Sequence, residues 1–135
     1  MTKRVEIVPI EFLHQAWEKC KPFIDSATVH ANGDCTTEDM KVYLSQNTYQ
    51  LMVFVEENEV VAAVVYFFRT TPAFRMFYIV ALGGKTSNEH MQMMYDYAKA
   101  NGADRVRYAC RDSVARLSSM KYGFNKLYNT VEKLI

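Results

Sequence analysis

Gly83-Gly84-Lys85-Thr86 joins an apolar stretch to an amphipathic one. It echoes the end of a phosphate-binding P-loop. That motif needs a further glycine five residues before the Gly of Gly-Lys-Thr, and Ile79 stands there, so the P-loop is rejected. Thr86-Ser-Asn-Glu89 fits a capping box, in which a Thr hydroxyl and a Glu carboxylate satisfy the first N–H groups of a helix. His30, in the loop-like His30-Ala-Asn-Gly-Asp34-Cys35, belongs to the residue type that titrates near neutrality and can act as a base; a lone loop histidine is more simply solvated. Arg105, Arg107, Arg111, Arg116 and Lys121 fall within 17 residues. On a strand, 105, 107 and 111 share one side and would meet an acidic protein partner or a nucleic acid, or form a solvated basic edge. Cys20, Cys35 and Cys110 lie far apart, with no Cys-x-x-Cys or His-x-x-x-His spacing. No metal site is expected, and the thiols read as free ones in a reducing cytoplasm.

The elements that would position these residues follow from periodicity. Val5–Val8 reads as a short strand stopped by Pro9. Leu13, Ala16, Trp17, Cys20 and Ile24 mark one helical face over roughly 10–25, with Pro22 expected to end or kink it near its last turn. Thr36 or Thr37 caps a second helix whose apolar stripe is Met40, Tyr43 and Leu44. Leu51–Val55, a polar turn at 56–59, and Val60–Phe68 predict an antiparallel hairpin. Val60–Phe68 and Met76–Leu82 are apolar on both faces, which predicts adjacent antiparallel strands at the sheet centre. A helix over 87–101 stopped by Gly102, a strand over 104–110, a short helix over 113–121 and a final strand over Leu127–Leu134 complete the order βααβββαβαβ. This is an α/β fold with a mixed, mostly antiparallel sheet and helices on both faces, in one domain over 1–135.

Composition narrows the partners. Sixteen basic against fifteen acidic residues leave a net charge of +1, which speaks against general nucleic-acid binding. The longest apolar run, Val60–Phe68, is far short of the roughly 20 residues that span a membrane, and no signal-like segment follows the N-terminus.

The element order, the strand–Gly-Gly–helix passage at 80–86 and the strand–helix–Gly-Phe pattern over Arg111–Phe124 together resemble the GNAT superfamily of acyl-CoA-dependent N-acyltransferases. The stretch over 102–133 is similar to small, divergent GNAT-like proteins of tailed bacteriophages, which would place the chain in a host cytoplasm. The resemblance implies acetyl-CoA lying between two splayed parallel strands, 76–82 and 104–110. Its pyrophosphate would rest on the loop Leu82, Gly83, Gly84, Lys85 and Thr86, and its 3′-phosphate near Arg111. The family's leading basic or amide residue is replaced here by Leu82. Its usual acidic Tyr, four residues before the Gly of Gly-Phe, is Ser119, and Tyr122 lies elsewhere on the helix. Ser119 would at most hydrogen-bond the sulfur, or be a small packing residue. Candidate bases are Glu56 and His30. The implied activity is acetyl transfer to an amine, on a small molecule or a protein, by a monomer or homodimer. The alternative is a catalytically degenerate GNAT-fold phage protein that acts by binding a host or virion partner. On this reading Gly84→Glu removes cofactor binding and leaves the fold intact.

Overall fold

The computed structural model describes residues 2–28, 35–109, 120–127 and 131–135. Five strands form one sheet in the order β1-β2-β3-β4-β5: β1 Lys3–Val8, β2 Gln50–Glu56, β3 Glu59–Thr70, β4 Arg75–Gly84 and β5 Arg105–Tyr108. The first three pairings are antiparallel and β4–β5 is parallel, so β3 is central. A parallel neighbour needs a crossover, and α3 (Asn88–Ala100) supplies it. The β2–β3 turn is tight because Glu57 and Asn58 both adopt positive φ, 53° and 65°, the twist that suits a two-residue hairpin.

Both faces of the sheet are covered. On one, Leu13, Trp17, Cys20 and Ile24 of α1 (Leu13–Thr28) and Met40 and Leu44 of α2 (Thr37–Ser45) pack on Leu51, Val53, Val55, Ala63 and Val65. On the other, Met91, Met94 and Ala98 of α3 pack on Met52, Phe54, Val64, Tyr66 and Phe77. Val64 and Ile79 are buried, as two-sided strands require.

Several sequence expectations are corrected. A 3₁₀ turn at Ile10–Phe12 precedes α1, and of the two outcomes expected at Pro22 the ending does not occur: the helix runs on to Thr28. Burial of Cys20 and Ile24 on either side of Pro22, and a Lys21–Asp25 pair at 2.8 Å, hold the turns that lose one backbone bond. Thr36 caps α2 in a full capping box with Asp39. Its inner face is Thr37, Met40 and Leu44, while Tyr43 sits at the rim against Tyr49. Of the expected final strand, Leu127 and 131–134 are exposed and unpaired, and the middle lies outside the described residues. So does most of the helix expected over 113–121, of which Met120 and Lys121 are helical, as is Tyr122 just beyond it.

Cys20 is sealed from solvent, and burial pushes its thiol up to about 11 from 9.0. The folded state therefore holds its proton more tightly than the unfolded chain. This contribution to stability is complete below pH 9.0 and declines as pH rises towards 11, by about 2–3 kcal/mol in total. A Cys35→Ser, Cys110→Ser variant, which keeps Cys20 alone, should release no colour from a disulfide reagent at pH 8 until denaturant is added. Rapid native labelling would mean that the helix–sheet interface opens.

Candidate functional site

The centre of β4 breaks the regularity of the sheet. Val65 pairs with Ala81 and Tyr66 with Ile79, so Val80 is an extra residue with no partner on β3. On the other side the β4–β5 ladder ends at Ile79–Tyr108. Among the described residues, Val80 thus stands outside both ladders, and β4 continues to Gly84 paired with β3. The bulge also shifts the facing of side chains. Phe77, Ile79 and Leu82 face α3, while Val80 and Ala81 both pack on the α1 side. Past the bulge, β4 leads through a short loop to the α3 N-terminus.

The passage from β4 to α3 carries Gly83, Gly84, Lys85 and Thr86. The two glycines answer to packing. A Cβ on Gly83 would overlap the Phe23 carbonyl oxygen of α1 and stand 2.7 Å from its carbon. Gly84 has φ +106°, and a Cβ there would overlap the Val61 carbonyl and lie 2.7 Å from Ala62 Cα. Gly84→Glu would therefore disturb the fold itself, contrary to the sequence expectation. The Lys85 N–H donates to the Val61 carbonyl at 2.8 Å, and its ammonium sits 3.4 Å from the mostly buried Glu56 carboxylate. Glu56 thus lies beside this loop at the β2–β3 turn, well away from the bulge.

Ser87, not Thr86, caps α3, because the helix begins one residue later than the sequence pattern suggests. The Ser87 hydroxyl accepts from the His90 N–H at 3.1 Å, and Glu89 pairs with Lys3 at 3.3 Å. The His90 ring, fully buried, stacks on Phe54 and reaches the Val55 carbonyl at 2.9 Å through Nε2. Facing a carbonyl, Nε2 must carry the proton, and Nδ1 accepts from Ser87 at 3.1 Å. This ring ties the first turn of α3 to β2, a role a Ser-x-x-His spacing at a helix start could have signalled.

Thr86 turns towards the C-terminal segment instead: its hydroxyl shares a 2.9 Å hydrogen bond with the Tyr122 hydroxyl. Tyr108 and Tyr95 both make edge contacts with Phe124. The Tyr95 hydroxyl is shielded from water with no partner among the described residues. Burial, and secondarily Tyr122, push its pKa up to about 12. A buried hydroxyl without a partner costs stability, and a polar ligand group beside it would satisfy it. The residues present therefore fit an acyl-CoA partly: the Tyr95 phenol is unspent among the described residues and the exposed Lys85 ammonium adds charge, while the Lys85 N–H, the Thr86 hydroxyl and the His90 N–H already have partners. His30, Arg111 and Ser119 lie outside the described residues, as do Cys110 and Arg116. No group of three or more His, Cys, Asp or Glu side chains suited to a metal occurs among the described residues. No helix among them is long and apolar enough to cross a membrane.

Solved structures share this architecture. An aminoglycoside acetyltransferase from an uncultured soil metagenomic sample, in complex with sisomicin, superposes with a TM-score of 0.67 at 13% identity, over 98% of this chain and 96% of that one. The chain has the GNAT acetyltransferase fold. Glucosamine-6-phosphate N-acetyltransferase from Arabidopsis thaliana matches with a TM-score of 0.61 at 12% identity, over 99% of each chain. A predicted acetyltransferase from Clostridium acetobutylicum, solved with acetyl-CoA, matches at 0.59 and 16%, over 98% of this chain and 96% of that one. No family profile and no curated protein matches the sequence.

Proposed function

We propose that this chain is an acyl-CoA-dependent N-acetyltransferase that moves the acetyl group of acetyl-CoA to a primary amine. The observation that carries the reading is the coincidence of the Val80 bulge with the end of the β4–β5 ladder. Among the described residues, β4 there keeps β3 as its one ladder partner and runs on to a helix N-terminus. The pyrophosphate would rest on the loop Leu82–Thr86 and the first turn of α3, with Lys85 adding charge. Arg111 would take the 3′-phosphate.

The free amine attacks the thioester carbon, forming the C–N bond. The carbonyl oxygen becomes an oxyanion and accepts from a β4 backbone N–H at the bulge. Collapse breaks the C–S bond, and the thiolate leaves and takes a proton from water. The amine's own proton passes to solvent, or to His30 if the loop brings it near; Glu56 serves the loop charge of Lys85. Ser119 would hydrogen-bond the sulfur without acting as an acid. A thiol's pKa lies not far above neutrality, so the missing Tyr costs on the order of 10²-fold and the enzyme is slow.

Acetyl-CoA at a hundredfold excess over its Kd should stabilise the fold by about 2.7 kcal/mol, a rise in Tm on the order of ten degrees. Thermal unfolding with and without acetyl-CoA reads it, with dephospho-CoA in parallel to report the 3′-phosphate contact. No shift at millimolar acetyl-CoA would overturn the enzyme reading. It would favour the second one, a binding protein on this fold, which the packing role of both glycines and the spent Lys85 N–H support.

A further inference from the structure

We infer that the α1-side surface at the start of β4 and β5 docks an acidic polypeptide segment, and that this polypeptide is the amine acceptor; the second clause rests on the acetyltransferase reading. Arg69, Met76 and Arg105 stand in one row across β3, β4 and β5, and Phe67, Tyr78 and Arg107 in the next, all on the same face. The guanidinium of Arg69 lies 5.2 Å from the Phe67 ring, and those of Arg105 and Arg107 lie 3.8 and 4.8 Å from the Phe74 ring. Stacking on a ring holds a guanidinium flat and leaves its in-plane N–H fork directed outward, the geometry that grips a carboxylate through two bonds.

The charge is not spent internally. Among the described residues, the only carboxylate paired with these three arginines is Asp104, 3.0 Å from Arg105 Nε. Arg75 is different. It crosses to the α3 side, stacks on Phe68 and donates to the Asn101 carbonyl and the Thr70 hydroxyl, so it is structural. A surface with three positive groups against one negative, in a chain of net charge +1, favours an anionic partner.

Reach and chemistry choose the partner. Tyr78 and Met76 continue the face on which Val80 packs. At about 3.3 Å per strand residue, the Met76 row lies on the order of 13 Å from Val80, the span of an extended tetrapeptide. Arg107, in the Tyr78 row, lies about 7 Å along β4 from Val80, so a small amine at the bulge would reach at most that arginine and neither Arg69 nor Arg105. Nucleic acid would satisfy the charge but offers only weakly basic ring amines, whereas a polypeptide offers a lysine or an N-terminus beside its carboxylates.

The test uses the whole chain and two fluorescent peptides, one rich in Glu with a single Lys, the other with every Glu replaced by Gln. Anisotropy at low salt, without acetyl-CoA, should give binding of the Glu peptide that is tighter by about tenfold or more and weakens with added salt. Arg69→Gln, and Arg69→Gln with Arg107→Gln, should remove that preference, with the far-ultraviolet circular dichroism kept and Tm lowered by only a few degrees for the lost ring contacts. Equal binding of the two peptides, or tighter binding of a single-stranded oligonucleotide of the same charge, would overturn the docking surface. With acetyl-CoA present, the Glu peptide should show a lower KM at similar kcat. If acetyl-CoA stabilises the fold and the Glu peptide shows no preference, docking fails and the enzyme reading stands. If the Glu peptide binds and acetyl-CoA does not, the surface stands and the acceptor assignment fails.

Discussion

Gly83→Ala should lower stability by about 3 kcal/mol or more, a fall in Tm on the order of ten degrees. The added methyl has no space: it would overlap the Phe23 carbonyl, which also accepts the Ser26 hydroxyl at 2.7 Å, and crowd that hydroxyl at 2.9 Å. Relief would require α1 to lift from β4, and with it Cys20 and Ile24 from the core beneath. Gly123→Ala is the comparison. Among the described residues, apart from its chain neighbours, no atom lies within 4 Å of a side chain there, and its φ of +74° is what opposes one. Its cost should be about 1 kcal/mol. Thermal unfolding by circular dichroism ranks the two; equal costs would mean that α1 and β4 do not pack this closely.

Tyr66→Ala should cost about 3–5 kcal/mol, enough to threaten folding in a domain whose total stability is on the order of 5–15 kcal/mol. The Tyr66 ring is fully buried, stacked 4.6 Å from Phe77 and edge-on to Phe68 and Tyr97. Its hydroxyl shares a 2.9 Å bond with the Tyr97 hydroxyl, and burial holds its pKa far above the usual phenol range. Tyr66→Phe keeps the ring and loses that bond, so it should cost only about 1 kcal/mol. Urea denaturation of both variants separates ring from hydroxyl. A Phe variant as damaged as the Ala variant would make the hydrogen bond, not packing, the dominant contribution.

The contrast between these two positions shows what the chain reveals on its face. Val60–Phe68 and Met76–Leu82 announce central strands because a strand covered on both sides must be apolar at every position. The Leu13–Trp17–Cys20–Ile24 spacing likewise exposes the inner face of α1. That same two-sided apolarity conceals the Val80 bulge: where every residue is apolar, a slip in alternation leaves no trace in hydropathy. Gly83 is legible as a residue and not as a reason, since the atom that forbids its side chain belongs to Phe23, sixty positions earlier. The Thr86–Tyr122 bond joins segments that periodicity cannot relate, and α3 starts one residue later than the Thr-x-x-Glu pattern, which leaves Thr86 to that bond. Pro22 lowers helix propensity, yet the burial of Cys20 and Ile24 on either side carries α1 past it.

The single tryptophan, Trp17, is buried on the α1 face, with the Lys41 ammonium 5.7 Å from its ring, whereas Tyr66, Tyr95 and Tyr97 belong to the α3 face. Nature has thus placed distinct chromophores on opposite sides of one sheet. Indole emission reports the half that carries α1 and α2, and tyrosine signals in the near ultraviolet are weighted towards the half that carries α3. A melt followed by both tells whether the two layers separate together or one after the other, without any label being attached.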